Sequence, residues 1–438
     1  MSIFIVFIAI VLLILLISWA KINTFLAFMV VCILAGLFLQ LPLNSIITSI
    51  EKGMGDMLGS LVIIIVLGAM LGKQVAASGA AQQIAQSLVQ AFGKKHITWA
   101  LTLTGFVVGI PLFYGVGFVL MVPLIFSITY RYQLPAVATG LPLLAALSVT
   151  HGFLPPHPSP SALVALFHAN MGLTLFYGLI IAIPTVIIAG PVFSSSLKKI
   201  ISTPLPAFQI QLIDSTKLPS VFISFLVPVI PVILIGLATL IQSFNTANSW
   251  QFQLSGFIGN PSIALLIALA AATFYLKTPK IESISSTMNR YAEAAKDVVM
   301  ILLIIGGAGS LKEILTHSGV SNQIANILEG TSIPPLVLGW LIAALIRLCV
   351  GSSTVAGLTT AGILLPYITT QGINPNFMVL SIGAGSLFFS HVNDPGFWMF
   401  KEYFNVSIKE TFKAWTVMES IVSVLGLIGV LILNSMFN

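Results

Sequence analysis

The chain has 438 residues, of which 57% are hydrophobic and 7% are charged, and its mean hydropathy is +1.07. Soluble globular proteins carry about 25% charged residues, so this composition excludes a soluble protein and indicates a polytopic membrane protein. The formal net charge of +6 comes from basic residues between the apolar runs, and it does not indicate a nucleic-acid partner.

Apolar runs, taken in chain order, predict the membrane-spanning helices, because one crossing needs about 20 apolar residues. The first half contains continuous runs at 3–19, 22–41, 58–77 and 172–193 and a broken run at 136–170. The second half contains continuous runs at 219–242, 257–276, 298–316 and 413–434 and a broken run at 376–405. The first run has no positively charged leader, so we interpret it as a membrane helix rather than a signal peptide.

Two further apolar segments are interrupted at their centres by small and polar residues. Segment 97–131 is broken by GIPLFYGVG, and segment 334–370 is broken by VGSSTVAG. Each arm spans roughly 18–21 Å at 1.5 Å per residue, which does not comfortably cross a hydrocarbon core of about 30 Å. The pattern favours a re-entrant helical hairpin in each segment, and two short spans joined by a tight turn are the alternative.

An internal repeat relates the two halves of the chain at an offset of 240 residues. SGAAQQIAQSL at 78–88 aligns with SGVSNQIANIL at 318–328, and six of the eleven positions are identical. Each half then holds five crossings and one hairpin, and an odd number of crossings inverts the second unit in the membrane. We therefore predict an all-α polytopic membrane protein. Its predicted units are a first repeat at 1–193, a cytoplasmic linker at 194–218 and a second, inverted repeat at 219–438.

Basic residues predict the orientation of this fold. If the N-terminus lies outside the cell, fifteen lysines and arginines fall on the cytoplasmic side, and only Lys52 and Lys312 fall outside. Cytoplasmic loops of membrane proteins carry such an excess of positive charge. The sequence therefore predicts a multi-pass protein with both termini outside.

The two broken crossings carry the most polar stretches of the chain, SVTHGFLPPHPSPSA at 148–162 and SHVNDPGFW at 390–398. His151 of the first aligns with His391 of the second. With the hairpin tips they bring four irregular segments to mid-membrane, where non-helical backbone occurs only inside protein or around a wet cavity. Helix N-termini that end at such a place favour an anion. The arrangement is typical of a secondary active transporter.

Several stretches resemble the signature segments of the gluconate permease family of bacterial proton symporters. They are GVGFVLMVPLIF, THGFLPPHPSP, GSSTVAGLTTAG and SHVNDPGFWMFKEYFNVSIKETFKAW. The resemblance implies uptake of gluconate or a related sugar acid or hydroxy acid with protons, across the bacterial inner membrane. It implies the proton motive force as energy source without a cofactor, and a homodimer with an elevator motion, as in the ion-transporter superfamily. One departure is the tip Tyr114-Gly115-Val116, which has no carboxylate where the family often has an aspartate.

Candidate substrate-binding residues come from the hairpin tips and the broken crossings. Hydroxyls there both donate and accept hydrogen bonds, Arg347 can bind a carboxylate through two parallel hydrogen bonds, and glycines permit close backbone approach. The predicted residues are Gly109, Gly115, Gly117, His157, Ser159, Arg347, Gly351, Ser352, Ser353, Thr354 and Asn393. Structural alternatives stay open, with Ser159 and Ser161 as helix caps, the glycines as packing sites, and Arg347 paired with Asp394.

Asp394, His391 and His151 are the candidates for proton coupling. Asp394 is the only carboxylate in the breaks, and ionisable groups at that depth are rare and usually functional. An imidazole titrates near working pH and can relay a proton. The structural alternative for Asp394 is a helix cap. The structural alternative for the two histidines is hydrogen bonding that holds the breaks together. No metal site is predicted, because no cysteine or glutamate lies near His151 and His157.

The sequence thus predicts a transporter and not an enzyme. Its predicted partners are a small anionic organic substrate, protons, the lipid bilayer and a second copy of the chain. Sodium coupling is an alternative, because carbonyl and hydroxyl oxygens are available at both tips. A membrane-embedded hydrolase or transferase is another, since Ser390, His391 and Asp394 have the required residue types, but no motif for an activated donor accompanies them. A channel is disfavoured, because hairpins that enter from opposite faces favour alternating access.

The predicted orientation can be tested by cysteine labelling. In a variant without Cys32 and Cys349, a cysteine at Ser2 or Asn438 should react with an impermeant maleimide on intact cells, because both termini are predicted outside. A cysteine at Lys198, in the predicted linker, is the matched control and should react only after permeabilisation. Labelling of either terminus only in permeabilised cells would contradict the ten-crossing topology.

Overall fold

The computed structural model describes residues 2–202, 213–214, 217–246, 249–276, 283–320, 333–392 and 394–437. These residues form helices joined by short turns, and they contain no β-strand. Most of the second copy of the repeated SG motif, from residue 321 on, and part of the predicted linker 194–218 lie outside the described residues.

Nine helices precede the predicted linker. They are α1 (Ser2–Ser18), α2 (Thr24–Phe38), α3 (Leu43–Ala77), α4 (Ala80–Phe92), α5 (Ile97–Gly109), α6 (Tyr114–Tyr132), α7 (Ala136–Phe153), α8 (Pro158–Leu166) and α9 (Met171–Ile187). A π-helical turn at Ile188–Val192 continues α9.

The described residues after the linker supply the remaining helices. They are α10 (Val221–Ser243), α11 (Trp250–Ile258), α12 (Pro261–Tyr275), α13 (Ile284–Asp297), α14 (Val299–His317), α15 (Pro335–Val350), α16 (Ser353–Gln371), α17 (Pro375–Gly385), α18 (Pro395–Phe404), α19 (Ile408–Thr411) and α20 (Val417–Phe437). A π-helical turn at Phe412–Thr416 joins α19 to α20.

Within the described part of the chain, six helical segments are long and apolar enough to cross a membrane. A seventh is added when α11 and α12, which meet at a bend of 60°, are counted as one span. The predicted all-α polytopic class is confirmed. The count of ten crossings, the inverted repeat and the re-entry of the hairpins stay predictions.

Helix α3 is longer than the predicted span 58–77, because it begins at Leu43 and runs for 35 residues. Its first part contains charged residues, which an apolar-run criterion rejects, yet one face is buried at Ile46, Gly53 and Met57. A helix with one apolar stripe is stabilised by what it packs against rather than by uniform hydrophobicity. The partner here is α14.

Close backbone contact joins α3 to α14 at two glycines. A Cβ added to Gly53 would collide with the backbone carbonyl of Gly309, and one added to Gly309 would collide with the carbonyl of Gly53. Ser310 Oγ donates to the carbonyl oxygen of Ile50 at 2.8 Å beside this contact. Small residues let membrane helices approach closely and gain dispersion and polar contacts. The α3–α14 pair is therefore a tightly packed frame for the other helices.

Helix α7 lies at the centre of a second group of helices. It packs against α5, α6 and α9, and nearly all of its residues are buried. Its sequence, AVATGLPLLAALSVTHGF, is apolar on all sides, which is the pattern of a helix surrounded by protein. The hairpin α5–α6 and the broken crossing α7–α8 are thereby held together.

The break between α7 and α8 spans 154–157, which is only a small part of the polar stretch 148–162. Pro155 and Pro156 lie in it, whereas Pro158 begins α8, where the missing N–H costs no helical hydrogen bond. The predicted caps Ser159 and Ser161 lie inside α8, and His157 occupies the N-cap position without a side-chain capping bond. Helix α8 therefore begins at Pro158, before both of the serines that were predicted to cap it.

Replacement of Gly53 by alanine should destabilise the protein. The added methyl group meets backbone atoms of α14 that cannot rotate away, and overpacking of this kind costs about 1–3 kcal/mol. Gly55→Ala is the matched control, because no atom lies within 4 Å of a Cβ at that position. Melting temperatures of the purified variants, measured by fluorescence-detected size exclusion, should fall for Gly53→Ala only. Equal melting temperatures would contradict the close contact.

Candidate functional site

A cavity of about 310 Å³ lies where the two hairpin tips meet the second helix break and the C-terminal part of α7. Helices α6, α7, α14, α15, α16, α18 and α20 contribute to its wall. Its polar and amphipathic lining residues are Tyr114, Ser148, His151, Arg347, Ser352, Ser353, Thr354, Asp394, Trp415 and Glu419. Apolar side chains, among them Phe113, Leu387 and Met399, complete the lining.

Three helices begin at the cavity and turn their N-termini toward it. Helix α6 starts at Tyr114 with no capping side chain, and a Cβ on Gly115 would face open space. Helix α16 starts behind Ser352, whose Oγ accepts from the Val355 N–H at 3.3 Å. Helix α18 starts behind Asp394, whose carboxylate already occupies its N-terminus. The N-termini of α6 and α16 are thus left to attract an anion from the cavity.

Arg347 forms a buried ion pair with Asp394. The side chain is 5% exposed, and its guanidinium donates both to Asp394 Oδ2 and to the carbonyl oxygen of Gly351. Asp394 also accepts from Ser390 Oγ and, through Oδ1, from the Gly396 N–H at 2.8 Å. The sequence left open whether Arg347 pairs with Asp394 or contacts substrate. The structure shows the ion pair, and both side chains also line the cavity.

The π-helical turn before α20 holds this network in place. Trp415 Nε1 donates to Ser390 Oγ at 2.7 Å, and Thr416 Oγ1 donates to the backbone carbonyl of Ser390 at 2.5 Å. The Trp415 ring also contacts that of Tyr114, with centroids 5.8 Å apart. One indole therefore links the second break to the first hairpin tip.

Several polar atoms at the cavity hydrogen bond to no other protein atom in the described residues. They are Tyr114 Oη, His151 Nδ1 and Arg347 Nε. Buried polar groups are almost always paired, so groups left unpaired here are available to a ligand or to water. Together they surround a space that suits a small polar molecule.

The predicted site residues divide into those that line the cavity and those that support it. Gly115, His151, Arg347, Gly351, Ser352, Ser353, Thr354 and Asp394 line it. The remaining described candidates lie behind the wall for identifiable reasons, and Asn393 lies outside the described residues.

Two histidines behind the wall bind the ends of the hairpin arms. His157 Nε2 donates to the carbonyl oxygen of Gly109 at 2.7 Å, and His391 Nε2 donates to that of Leu348 at 2.9 Å. Each imidazole satisfies a carbonyl that the end of a helix leaves unpaired. The hydrogen bond to Leu348 is the structural alternative that the sequence left open for His391. Gly109, whose carbonyl accepts from His157, likewise supports the wall from behind.

Gly117 and Ser159 pack against neighbouring helices instead of facing the cavity. A Cβ on Gly117 would lie 3.1 Å from the Leu147 side chain, so this glycine permits the contact between α6 and α7. Ser159 is buried in α8 opposite Gly357 of α16. Both positions bring helices of the site together.

Glu419 is a polar residue of the wall that is absent from the candidates predicted from the sequence. It lies near the start of the last apolar run, where a side chain can reach the membrane surface, yet it is 2% exposed and lines the cavity. Ser148 Oγ donates to Glu419 Oε2 at 2.9 Å. A carboxylate within an apolar run was the available signal, because such residues face the bundle interior.

No three His, Cys, Asp or Glu side chains of the described residues are arranged to hold a metal ion. Broken helices that surround a polar cavity in a polytopic helical protein are typical of transporters.

Comparison with known proteins identifies the family. A model of the GntP family permeases matches residues 1–436. The chain is 46% identical to a high-affinity gluconate transporter of Escherichia coli K12 over 99% of both chains. It is 43% identical to the Gnt-II system L-idonate transporter of the same organism over 95% of each. The chain belongs to the GntP family of permeases, which confirms the predicted family and the prediction that it is not an enzyme.

The fold has a counterpart among solved structures. The YdaH transporter of Alcanivorax borkumensis superimposes with a TM-score of 0.62 at 16% sequence identity, over 88% of this chain and 87% of that one. At this identity the likeness concerns the fold alone, and it supports the overall arrangement of the helices.

Proposed function

We propose that the protein takes up gluconate or a related sugar acid or hydroxy acid, together with protons, across the bacterial inner membrane. The observation that carries the proposal is the cavity, where two helix N-termini, a guanidinium and a row of hydroxyls face one space of about 310 Å³. This volume is at the lower end of the roughly 300–1,000 Å³ of ligand pockets, as suits a small substrate. The relatives named for gluconate and L-idonate support the same substrate class.

The two ends of a sugar acid meet different groups in this proposal. The carboxylate binds between Arg347 and the N-terminus of α6, where positive charge and free N–H groups converge. The hydroxyls bind Ser352, Ser353 and Thr354 at the second hairpin tip, because these side chains both donate and accept. An acid without hydroxyls would bind only through its carboxylate, at Arg347 and the N-terminus of α6.

Proton coupling follows from an exchange of partners on Arg347. In the empty site the guanidinium and Asp394 neutralise each other. A substrate carboxylate that takes the guanidinium leaves Asp394 buried without its cation, which costs several kcal/mol unless Asp394 binds a proton. Counted over Arg347, Asp394 and the substrate carboxylate, the empty site and the site with anion and proton then carry the same net charge. A site with anion alone or proton alone carries one uncompensated charge and is disfavoured.

The histidines have unequal parts in this scheme. His151 lines the cavity with Nδ1 free of protein partners, so it is the second candidate to receive a proton. His391 donates to Leu348, and it acts on Asp394 only by holding the second break to the hairpin.

The assembly and energy source complete the proposal. The chain forms a homodimer with both termini outside, it uses the proton motive force, and it needs no cofactor. Charge distribution and family resemblance support these points, and native mass spectrometry of the purified protein tests the dimer.

Counterflow in proteoliposomes tests the function. Vesicles loaded with unlabelled gluconate should accumulate external labelled gluconate transiently, because a carrier exchanges substrates across the membrane. An inward proton gradient should drive net uptake without sodium, and L-idonate should compete. Uptake that needs a sodium gradient would favour the sodium-coupled alternative, and dissipation without transient accumulation would favour a channel.

Arg347→Lys should weaken gluconate binding about tenfold or more. Lysine keeps the charge but loses the planar fork, and a hydrogen bond to a charged group contributes about 1.5–3 kcal/mol. Arg347→Gln should be worse, because it also leaves Asp394 without a cation. Affinities from isothermal titration check this, with Arg290→Lys as a control outside the cavity. Unchanged affinity in both Arg347 variants would remove this residue from the site.

Asp394→Asn should abolish uphill uptake driven by a pH gradient, because asparagine cannot bind and release the coupled proton. Exchange of labelled for unlabelled gluconate should persist, since exchange moves no net proton. His151→Gln is the matched comparison, and a smaller loss of uptake is expected from it. Full accumulation by Asp394→Asn would instead assign the proton to another group of the cavity.

A further inference from the structure

Glu419 differs from Asp394 in its surroundings, although both carboxyls line the cavity. Asp394 is paired with a guanidinium and accepts from two further donors. Glu419 is 2% exposed and accepts one hydrogen bond, from Ser148 Oγ at 2.9 Å. No cationic side chain of the described residues forms an ion pair with it. The cavity therefore contains one paired and one unpaired carboxyl.

The helices around Glu419 supply few charges to compensate it. Helix α7 contributes His151, α6 contributes Tyr114, and Arg347 and Asp394 reach the same cavity from α15 and the second break. Helices α9 and α17, which also pack on α20, contain no charged residue. The one guanidinium of the wall is already shared between Asp394 and the Gly351 carbonyl.

The count of charges decides which form of Glu419 admits an anion. The Arg347–Asp394 pair is neutral, so an ionised Glu419 gives the cavity a net negative charge that repels a substrate carboxylate. A buried carboxylate without a cation is also unfavourable in itself. A protonated Glu419 leaves the cavity neutral, and its O–H can donate to a substrate oxygen.

We infer that Glu419 is a second proton-binding group of the transport site, which must take up a proton before an anion occupies the cavity. The inference rests on the proposed function, because it assigns a proton to the same anion-binding site. The proton enters from water and sits on a carboxyl oxygen of Glu419, and its loss on the far side makes the cavity negative and expels the substrate. The protonation state of Glu419 then controls whether an anion enters or leaves the cavity. The protonation state of Asp394 controls whether Arg347 pairs with Asp394 or with the substrate carboxylate.

Proton uptake on gluconate binding tests the inference. Isothermal titration of the detergent-purified protein in two buffers of different ionisation enthalpy gives the number of protons bound per gluconate. Glu419→Gln should take up one proton fewer than the natural protein at the same pH. The affinity of the natural protein for gluconate should fall as the pH rises. In Glu419→Gln this fall should be about tenfold smaller for each pH unit, because one linked proton changes the affinity by a factor of about ten per unit. Glu402→Gln, an exposed carboxylate paired with Lys401 outside the cavity, should behave as the natural protein.

A second variant keeps the test decisive if Glu419→Gln does not bind gluconate. Ser148→Ala removes the hydrogen bond to Glu419 and keeps the carboxyl, so the pH at which proton uptake is half complete should shift. An unchanged proton count in Glu419→Gln, or an unshifted pH profile in Ser148→Ala, would overturn the inference while the proposed function stands. Failure of the natural protein to bind gluconate at any pH would overturn the proposed function and this inference with it.

Discussion

The candidate site depends on one buried ion pair, between Arg347 on a hairpin arm and Asp394 at the second helix break. Each charge would be costly alone in a membrane protein, because an ion buried without a partner loses its hydration. The pair therefore ties the hairpin to the break, while Trp415 and Ser390 fix the carboxylate from the side of α20. In the proposed mechanism an anion that binds Arg347 competes with Asp394 directly, so recognition and exchange of the substrate charge would use the same two side chains.

The surrounding helices explain how such a pair is kept in place. Helices α3 and α14 meet through Gly53 and Gly309, and Lys73 Nζ bridges to Asp297 Oδ2 at 2.5 Å toward one end of this frame. Helix α7 is buried among its neighbours and carries the first break at its end. The irregular segments are then bordered by these helices, and side chains donate to several of their backbone carbonyls, among them those of Gly351 and Ser390. Non-helical backbone is tolerated at membrane depth under just these conditions.

The features that a sequence can predict are those encoded locally. Glycines, prolines and serines mark the tips and breaks because they change what the backbone can do, and Gly351 indeed adopts a positive φ of 78°. The lining hydroxyls Ser352–Thr354 follow from the second tip. The amphipathic start of α3 escaped an apolar-run criterion, because its burial depends on α14. Glu419 escaped for a similar reason, since only the packing of α7 on α20 determines that its side chain meets Ser148 and the cavity.

The hydrogen bonds at the tips also bear on which ion accompanies the substrate. Sodium sites in transporters are built from backbone carbonyls that an unwound helix leaves free. Here the carbonyl of Gly351 accepts from Arg347, that of Gly109 from His157, and that of Leu348 from His391. Side-chain donors thus already bind three carbonyl oxygens at these tips and breaks. The cavity lining also contains two carboxyls and one guanidinium, so it supplies more acidic than basic side chains, which is the composition that the proposed proton coupling requires.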